Sequence, residues 1–301
     1  MNLLQNVVIE SIRFVPRSVT WRFSKRYIAG TCLEDAYQAV RELNESGSSA
    51  TIDVLGEDST SLEQAEAAER TYLAGLEGIN SLSLTCGISI KLSEMGLRFD
   101  DALCRRVMRK IISAAHRNGI FVRIDMEDSS VTTATLDMYR ELRADFDNVG
   151  TVIQSCLHRS ESDIENLLGE GSTNIRLCKG IYIEPENISY CDPDEIRSSY
   201  KRLLEKLFEG GATQVAIATH DRALVEHAEH TIRRMKIAKD RYEFQMLLGV
   251  AGPLRRELIA RGHSMRVYVP FGERWLDYSL RRLRENPDML GHIVGNMFRS
   301  L

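Results

Sequence analysis

Ionisable and amide side chains recur at one kind of place in this sequence, inside or just after short runs of Val, Ile and Leu. Lys91 lies near the end of SLSLTCGISIKLS (81–93), and Asp125, Glu127 and Asp128 close FVRIDMED (121–128). Gln154 sits in VGTVIQSCL (149–157), and Arg176, Lys179 and Tyr182 sit in NIRLCKGIY (174–182). Thr219, His220 and Asp221 end the stretch that begins TQVAIATH (213–220). Glu243 and Gln245 belong to YEFQMLLG (242–249), and Arg266 and Tyr268 to SMRVYVP (264–270). A charge within an apolar run is costly unless it is paired or reaches a site. Any one of these residues has a plain structural reading as a strand-end ion pair. Seven runs carrying them near the same end point instead to a shared polar cavity. Because it holds both signs of charge, that cavity suits a zwitterionic or mixed ligand better than a bare phosphate.

The last run leads into PFGERWLDYSLRRLRENP (270–287). Read as a helix from about residue 273, it places Tyr278, Arg281, Arg282 and Glu285 within about 100° of arc, with Leu276, Leu280 and Leu283 opposite. One reading is a surface helix with Arg281–Glu285 as an i,i+4 pair. The other lays the helix over the cavity mouth with both guanidinium groups facing inward. Paired guanidiniums grip a carboxylate by bidentate hydrogen bonds, which lysine cannot match. The histidines show no spacing that completes a metal site, and the cysteines form no C-x-x-C pair, so no metal is expected.

The elements that must position these groups follow from the alternation of the runs with amphipathic stretches. With ATIDVLGE (50–57) there are eight runs. They are rich in Val, Ile and Leu without strict alternation, as in parallel strands buried on both faces. Amphipathic stretches such as 61–79 and 100–119 lie between them, the second ending in Asn-Gly, a helix stop. Eightfold strand–helix alternation predicts a closed (β/α)8 barrel, whose polar groups at the carboxyl ends of the strands form the site. The rival, an open doubly wound sheet, usually shows G-x-G-x-x-G after its first strand, whereas this strand ends in LGEDSTS. Residues 1–49 read as a helical N-terminal extension and 50–301 as the barrel.

Bulk properties narrow the partners. Of 301 residues, 43% are hydrophobic and 27% charged, enough apolar material for a sizeable core. A net charge of −4 gives no cationic footprint for nucleic acid. Cys32, Cys86, Cys104, Cys156, Cys178 and Cys191 read as reduced thiols of an intracellular protein. The N-terminal segment mixes apolar residues with Arg13, Arg17, Arg22, Lys25 and Arg26, without the continuous apolar core of a signal peptide. No apolar run reaches the roughly 18 residues of a membrane span. The segment is either a helix packed on the barrel or an amphipathic element that docks on a partner or lipid surface.

These residues also carry a resemblance. IDMEDS (124–129), IQSCL (153–157), RLCKGIY (176–182), ATHD (218–221), YEFQMLLG (242–249) and VYVPFGERWLDYSLRRLRENP (267–287) resemble, in order, the motifs of the proline dehydrogenase family. The N-terminal VPRSVTWRFSKRYIAG resembles the lead-in of its monofunctional bacterial members. The resemblance implies a distorted (β/α)8 barrel with non-covalent FAD at the strand ends and no Rossmann domain. It implies that Arg281 and Arg282 hold the carboxylate of L-proline, with Lys91 nearby. Asp125, Leu177, Tyr182, Tyr268 and Tyr278 would wall the ring, and Arg176 and Gln154 would contact the isoalloxazine. Cys178, Lys179, Gly180, Thr219, His220, Asp221, Gln245 and Glu285 would line the rest of the cofactor site. The chain departs from the family pattern at Cys156, Ile181, Ile183 and Asp221, all on the cofactor side. Tyr278 matches members that prefer proline over hydroxyproline.

The reaction so implied is oxidation of L-proline to Δ1-pyrroline-5-carboxylate by hydride transfer from C5 to flavin N5, the first step of proline catabolism. Electrons would pass to a membrane quinone, from a protein in the cytoplasm or peripheral on the inner face of the cell membrane. Two rivals remain open at this point. Lys179 in a strand-end site is also the nucleophile expected of a Schiff-base aldolase. A barrel that binds FAD or proline without turnover would tolerate the four cofactor-side departures.

Overall fold

In a computed structural model that describes residues 20, 21, 24–171, 173–276 and 278–280, eight parallel strands close into a barrel in sequence order. They are β1 (Ser49–Val54), β2 (Cys86–Ile90), β3 (Val122–Ile124), β4 (Val149–Gln154), β5 (Asn174–Cys178), β6 (Gln214–Ala218), β7 (Tyr242–Leu247) and β8 (Met265–Phe271). Six of the predicted runs contain one strand each, while β1 begins one residue ahead of its run and β8 ends one residue beyond its own. Closure is made by β1 against β8, paired from Ser49↔Arg266 to Val54↔Phe271. That closure excludes the open-sheet alternative.

Among the described residues, α1 (Leu33–Glu45) comes ahead of β1 and seven further α-helices cover the barrel: α2 (Leu62–Ser81), α3 (Asp101–Arg117), α4 (Thr132–Asp145), α5 (Ser160–Gly169), α6 (Pro193–Glu209), α7 (Arg222–Met235) and α8 (Gly252–Ala260). Their starts are written in the sequence. Ser61 accepts from the Gln64 N–H to cap α2, and Asp100 accepts from the Leu103 N–H to cap α3. Asp192 caps α6, where Pro193 fits the first turn because its missing N–H is not needed there. After α3, Asn118 caps the C-terminus and Gly119 turns at φ +63°, a left-handed value that glycine adopts without strain.

Strand faces turned outward and helix faces turned inward share one core that includes Ile52, Ile88, Ile124, Leu177 and Ile217. Its largest fully buried side chains include Tyr72, Tyr139 and Tyr200. Two of these also clamp strand carbonyls: Tyr72 OH donates to Ser89 O at 2.9 Å and Tyr200 OH to Leu177 O at 3.1 Å. Truncating a buried aromatic of this kind to alanine costs about 3–5 kcal/mol.

The described residues ahead of β1 include several that pack on the barrel. Ala36, Val40 and Leu43 of α1 belong to the main core. Ile28 joins Leu55, Trp275 and Tyr278 in a second, smaller cluster, with Trp21 packed against it. Trp21 meets Trp275 edge-on at 4.9 Å, and Ser279 Oγ donates to Ser24 Oγ at 2.8 Å. Gly249 permits this seating, because a Cβ there would lie 2.0 Å from the Arg26 carbonyl oxygen. Of the expected final helix, residues 275, 276 and 278–280 are helical. Arg281, Arg282, Leu283 and Glu285 lie outside the described residues. The helical spacing predicts Tyr278 on the face away from Leu276, yet both meet the smaller cluster. No helix among the described residues is long and apolar enough to cross a membrane.

Candidate active site

A cavity of about 450 Å³ opens at the carboxyl ends of the strands. Lys91 and Asp125 follow β2 and β3, Gln154 ends β4, and Arg176, Gln245 and Tyr268 come from β5, β7 and β8; all six line it. Tyr278 lines it from beyond β8. Apolar wall is supplied by Met126, Val152, Ala218, Met246 and Leu247.

Asp125 is the hub of the inner site. Its Oδ1 accepts from Arg176 Nη1 at 2.7 Å and from Ser89 Oγ at 2.9 Å, and its Oδ2 accepts from Tyr268 OH at 2.8 Å. Lys91 Nζ lies 3.9 Å from the same Oδ2 and donates to Asp53 Oδ1 at 2.8 Å. Arg176 also donates through Nε to Gln245 Oε1 at 2.6 Å and stacks over the Tyr268 ring at 5.4 Å. Burial alone would push the Asp125 carboxyl up, but the charges of Arg176 and Lys91 outweigh it and hold it below the usual carboxylate range. Burial would likewise push Lys91 down, but Asp53 and Asp125 hold its ammonium well above its ordinary value. Burial, aided by Asp125 and Asp53, drives the Tyr268 phenol well above its ordinary value. The site is therefore a fixed array: one ionised carboxylate, one ammonium, one guanidinium and a neutral phenol.

An outer group sits at the rim. Lys179 Nζ and Arg197 Nε both donate to Asp221 Oδ2, at 2.6 and 2.8 Å. Burial opposes ionisation of Asp221, yet these two cations bring its carboxyl down to about 2. Its other oxygen caps α7 by accepting from the Ala223 N–H at 3.1 Å. His220 Nε2 accepts from the Leu247 N–H at 2.9 Å, which leaves the ring proton to Nδ1. Thr219 Oγ1 accepts from the Asp221 N–H at 3.1 Å.

Of the residues proposed from sequence, Lys91, Asp125, Gln154, Arg176, Cys178, Lys179, Gly180, Tyr182, Thr219, His220, Asp221, Gln245, Tyr268 and Tyr278 all line this one cavity. Leu177 does not. Strand pleating turns Arg176 and Cys178 inward, so the residue between them points out, where Leu177 is fully buried in the core and its carbonyl meets Tyr200 of α6. Arg281, Arg282 and Glu285 lie outside the described residues.

Of the four departures, Cys156 is buried against the turn at Gly180, where a Cβ would come within 2.3 Å of its Sγ. Ile181 lines the cavity, and Ile183 is 94% exposed. Sequence reasoning missed Asp53, Ser89 and Arg197. Asp53 carried a readable signal, an acid inside an apolar run. Among the described residues no cluster could hold a metal ion.

Comparison with known proteins bears on what this cavity does. A family model described as proline dehydrogenase matches residues 36–293. The chain is 36% identical over 278 residues to proline dehydrogenase 2 of Bacillus subtilis (strain 168), covering 91% of this chain and 90% of that one. It is 33% identical over 289 residues to proline dehydrogenase of Deinococcus radiodurans, covering 94% and 93%. In fold it resembles the crystal structure of proline utilization A from Bdellovibrio bacteriovorus inactivated by N-propargylglycine, with a TM-score of 0.83 at 24% identity. That match covers 88% of this chain and 33% of the other.

Proposed function

The chain belongs to the proline dehydrogenase family, and from that premise we propose that it oxidises L-proline to Δ1-pyrroline-5-carboxylate, the first step of proline catabolism, with FAD as cofactor and a quinone as the onward electron acceptor. The observation that carries this reading is the inner array. Asp125 is locked by Arg176, Ser89 and Tyr268 beneath a cavity walled by Tyr268 and Tyr278. A small zwitterionic ring fits such a wall, with aromatic faces for its methylenes and charges of both signs for its ends.

The residues present fit FAD. Gln154, Arg176 and Gln245 offer amide and guanidinium groups to a planar ring bearing carbonyls, and Lys179 offers a cation to a diphosphate. When bound, FAD supplies the two-electron acceptor at its N5. Arg281 and Arg282, with Lys91, would hold the proline carboxylate, and Glu285 would complete the cofactor site. Tyr182, Tyr268 and Tyr278 would confine the ring so that C5 is presented in one orientation, which can supply several kcal/mol of the barrier.

Oxidation also requires that the substrate amine lose its proton. Asp125 is poorly suited to take it, because its carboxyl is held below the ordinary range and already accepts three hydrogen bonds. Asp125 thus positions, and the proton leaves to water. Turnover is expected to rise toward alkaline pH as the neutral amine becomes available.

The lysines oppose a Schiff-base reading. Lys91 is held protonated between Asp53 and Asp125, and Lys179 is paired with Asp221. Trp21 and Ile28 belong to the smaller core cluster, so these two side chains pack on protein, and peripheral membrane contact would use other residues. The test is an anaerobic visible spectrum of the purified protein before and after L-proline. Flavin bands that bleach with proline are expected. Bands that persist would favour a binding module, and a colourless protein that takes up no added FAD would overturn the reading.

A further inference from the structure

One layer below the cavity, a chain of hydrogen bonds runs from the partly buried Arg266 at the barrel floor to the buried Arg176. Arg266, on β8, donates through Nη1 to the Ala50 carbonyl at 2.8 Å and through Nε to Glu243 Oε1 at 2.8 Å. Gln245 Nε2 donates to the same Glu243 oxygen at 2.6 Å. Gln245 Oε1 then accepts from Arg176 Nε at 2.6 Å. Arg176 ends the chain on Asp125 Oδ1 at 2.7 Å and Ser89 Oγ at 3.2 Å. Glu243 and Gln245 are two apart on β7, so both point into the barrel, but only Gln245 reaches the cavity.

The polarity of this chain has a single source. A glutamine amide is nearly symmetric in shape, and only its neighbours decide which end carries the donors. Arg176 is a donor and needs the amide oxygen. An amide free to turn would spend part of its time offering NH2 to the guanidinium, donor against donor. Glu243, when ionised, only accepts. Burial works against that ionisation, but the Arg266 charge and hydrogen bond overcome it and lower the Glu243 carboxyl. With an obligate acceptor behind it, the amide points its nitrogen down and its oxygen up.

We propose that Glu243, which lies outside the cavity wall, is a positioning residue that fixes the amide of Gln245 and through it the guanidinium of Arg176. The functional consequence rests on the reading of the cavity as a proline and FAD site. The orientation itself does not.

The test uses Glu243→Gln, which keeps the shape and the acceptor for Arg266 but lets position 243 donate. Two readouts are needed, on the protein as purified. The first, independent of turnover, is the Arg176 Nε–H signal in a 1H–15N spectrum, which the short bond to Gln245 protects from solvent exchange. The second is the rate of anaerobic flavin bleaching by L-proline. In the variant the Nε–H signal is expected to broaden or exchange, and bleaching to slow by about tenfold or more, the effect of one lost buried hydrogen bond to a charged group. Because the variant leaves Arg266 without this carboxylate, the melting temperature is expected to fall as well, so the rate is judged against the double variant. The double variant E243Q/Q245E restores an obligate acceptor opposite Arg176, so it should recover the protected signal and much of the rate. An unchanged signal in E243Q overturns the proposal, as does a loss of rate that only follows a fall in melting temperature and is not recovered in the double variant. A wild-type protein that proline does not bleach would overturn the proposed function instead, and the Nε–H comparison would still decide the role of Glu243.

Discussion

The inner cluster around Asp125 and the outer cluster around Asp221 are built from the same parts, a carboxylate between a lysine and an arginine. They differ in water. The side chains of Lys91 and Asp53 are 9% and 1% exposed, whereas Lys179 and Arg197 are 37% and 38% exposed. In the inner cluster charges interact with little screening, and each carries a desolvation cost that only its partners offset. Removing one partner strands the others. In the outer cluster solvent and salt screen the pairs, and each is worth little to folding. The inner cluster can therefore fix geometry, while the outer cluster can lend its cations to a ligand without endangering the fold.

The comparison breaks most decisively at Asp125. Replacing it with Asn leaves Arg176 facing a neutral amide and Lys91 with Asp53 alone. We expect unfolding free energy in urea to drop by about 3–5 kcal/mol. Proline-dependent bleaching should slow by about 10²–10³, as when a pre-aligned array is lost. If Asp125→Asn bleaches at the wild-type rate, the buried cluster does not position the substrate.

Asp53→Asn should do less, because Lys91 keeps Asp125 within 3.9 Å and an amide oxygen can still accept. A loss of about 1–3 kcal/mol is expected, with KM for proline rising more than kcat falls if Lys91 faces the substrate carboxylate. Steady-state kinetics separates the two, and a fall confined to kcat would assign Lys91 a different task.

Glu94 sharpens the contrast through pH. It is buried behind the inner cluster with Tyr72 OH 3.4 Å from its Oε2. Burial, with Asp53 and Glu127 adding and Lys91 opposing, pushes its carboxyl up to about 8. The unfolded chain releases that proton near pH 4. Between these values the folded state holds a proton that the unfolded state has lost, so stability falls as pH rises from about 4 to 8. Glu94→Gln removes this slope. Its melting temperature should match wild type near pH 5 and exceed it by about 5–10 °C near pH 8, since about three pH units of linkage are worth about 4 kcal/mol. Parallel melting curves at both pH values would show that Glu94 is already ionised in the folded protein.

How much of this could be read beforehand depends on the kind of signal. The barrel was legible because its runs are dense in Val, Ile and Leu without strict alternation and its helices begin at Ser61, Asp100 and Asp192. The inner site was legible because Lys91 and Arg176 are charges where apolar residues belong. Asp53 carries the same signal, an acid within the apolar run ATIDVLGE. Leu177 was placed in the cavity by resemblance alone, and the period of two from Arg176 to Cys178 argues against it. Arg197 was not legible, since it reaches Asp221 from α6 across 24 residues of sequence. The N-terminal segment showed its amphipathic character but not what it covers. Only the fold brings Trp21 and Ile28 to Trp275 and Tyr278.

The smallest expected effect belongs to the outer cluster, and its smallness is the point. Lys179→Met removes one of two cations from Asp221, and Arg197 remains at 2.8 Å. Asp221 still caps α7, so stability should change by less than about 1 kcal/mol. If Lys179 lends its charge to the FAD diphosphate, affinity for added FAD should fall by about tenfold at low salt, measured by quenching of flavin fluorescence. That difference should shrink as ionic strength rises from about 0.05 to 0.5 M, because salt screens an exposed charge and the variant has none to screen. A large fall in stability would mean that Lys179 belongs with the buried network. An affinity loss that salt does not alter would mean that it contacts the ligand away from water, and the division between a positioning interior and a ligand-binding rim would have to be drawn elsewhere.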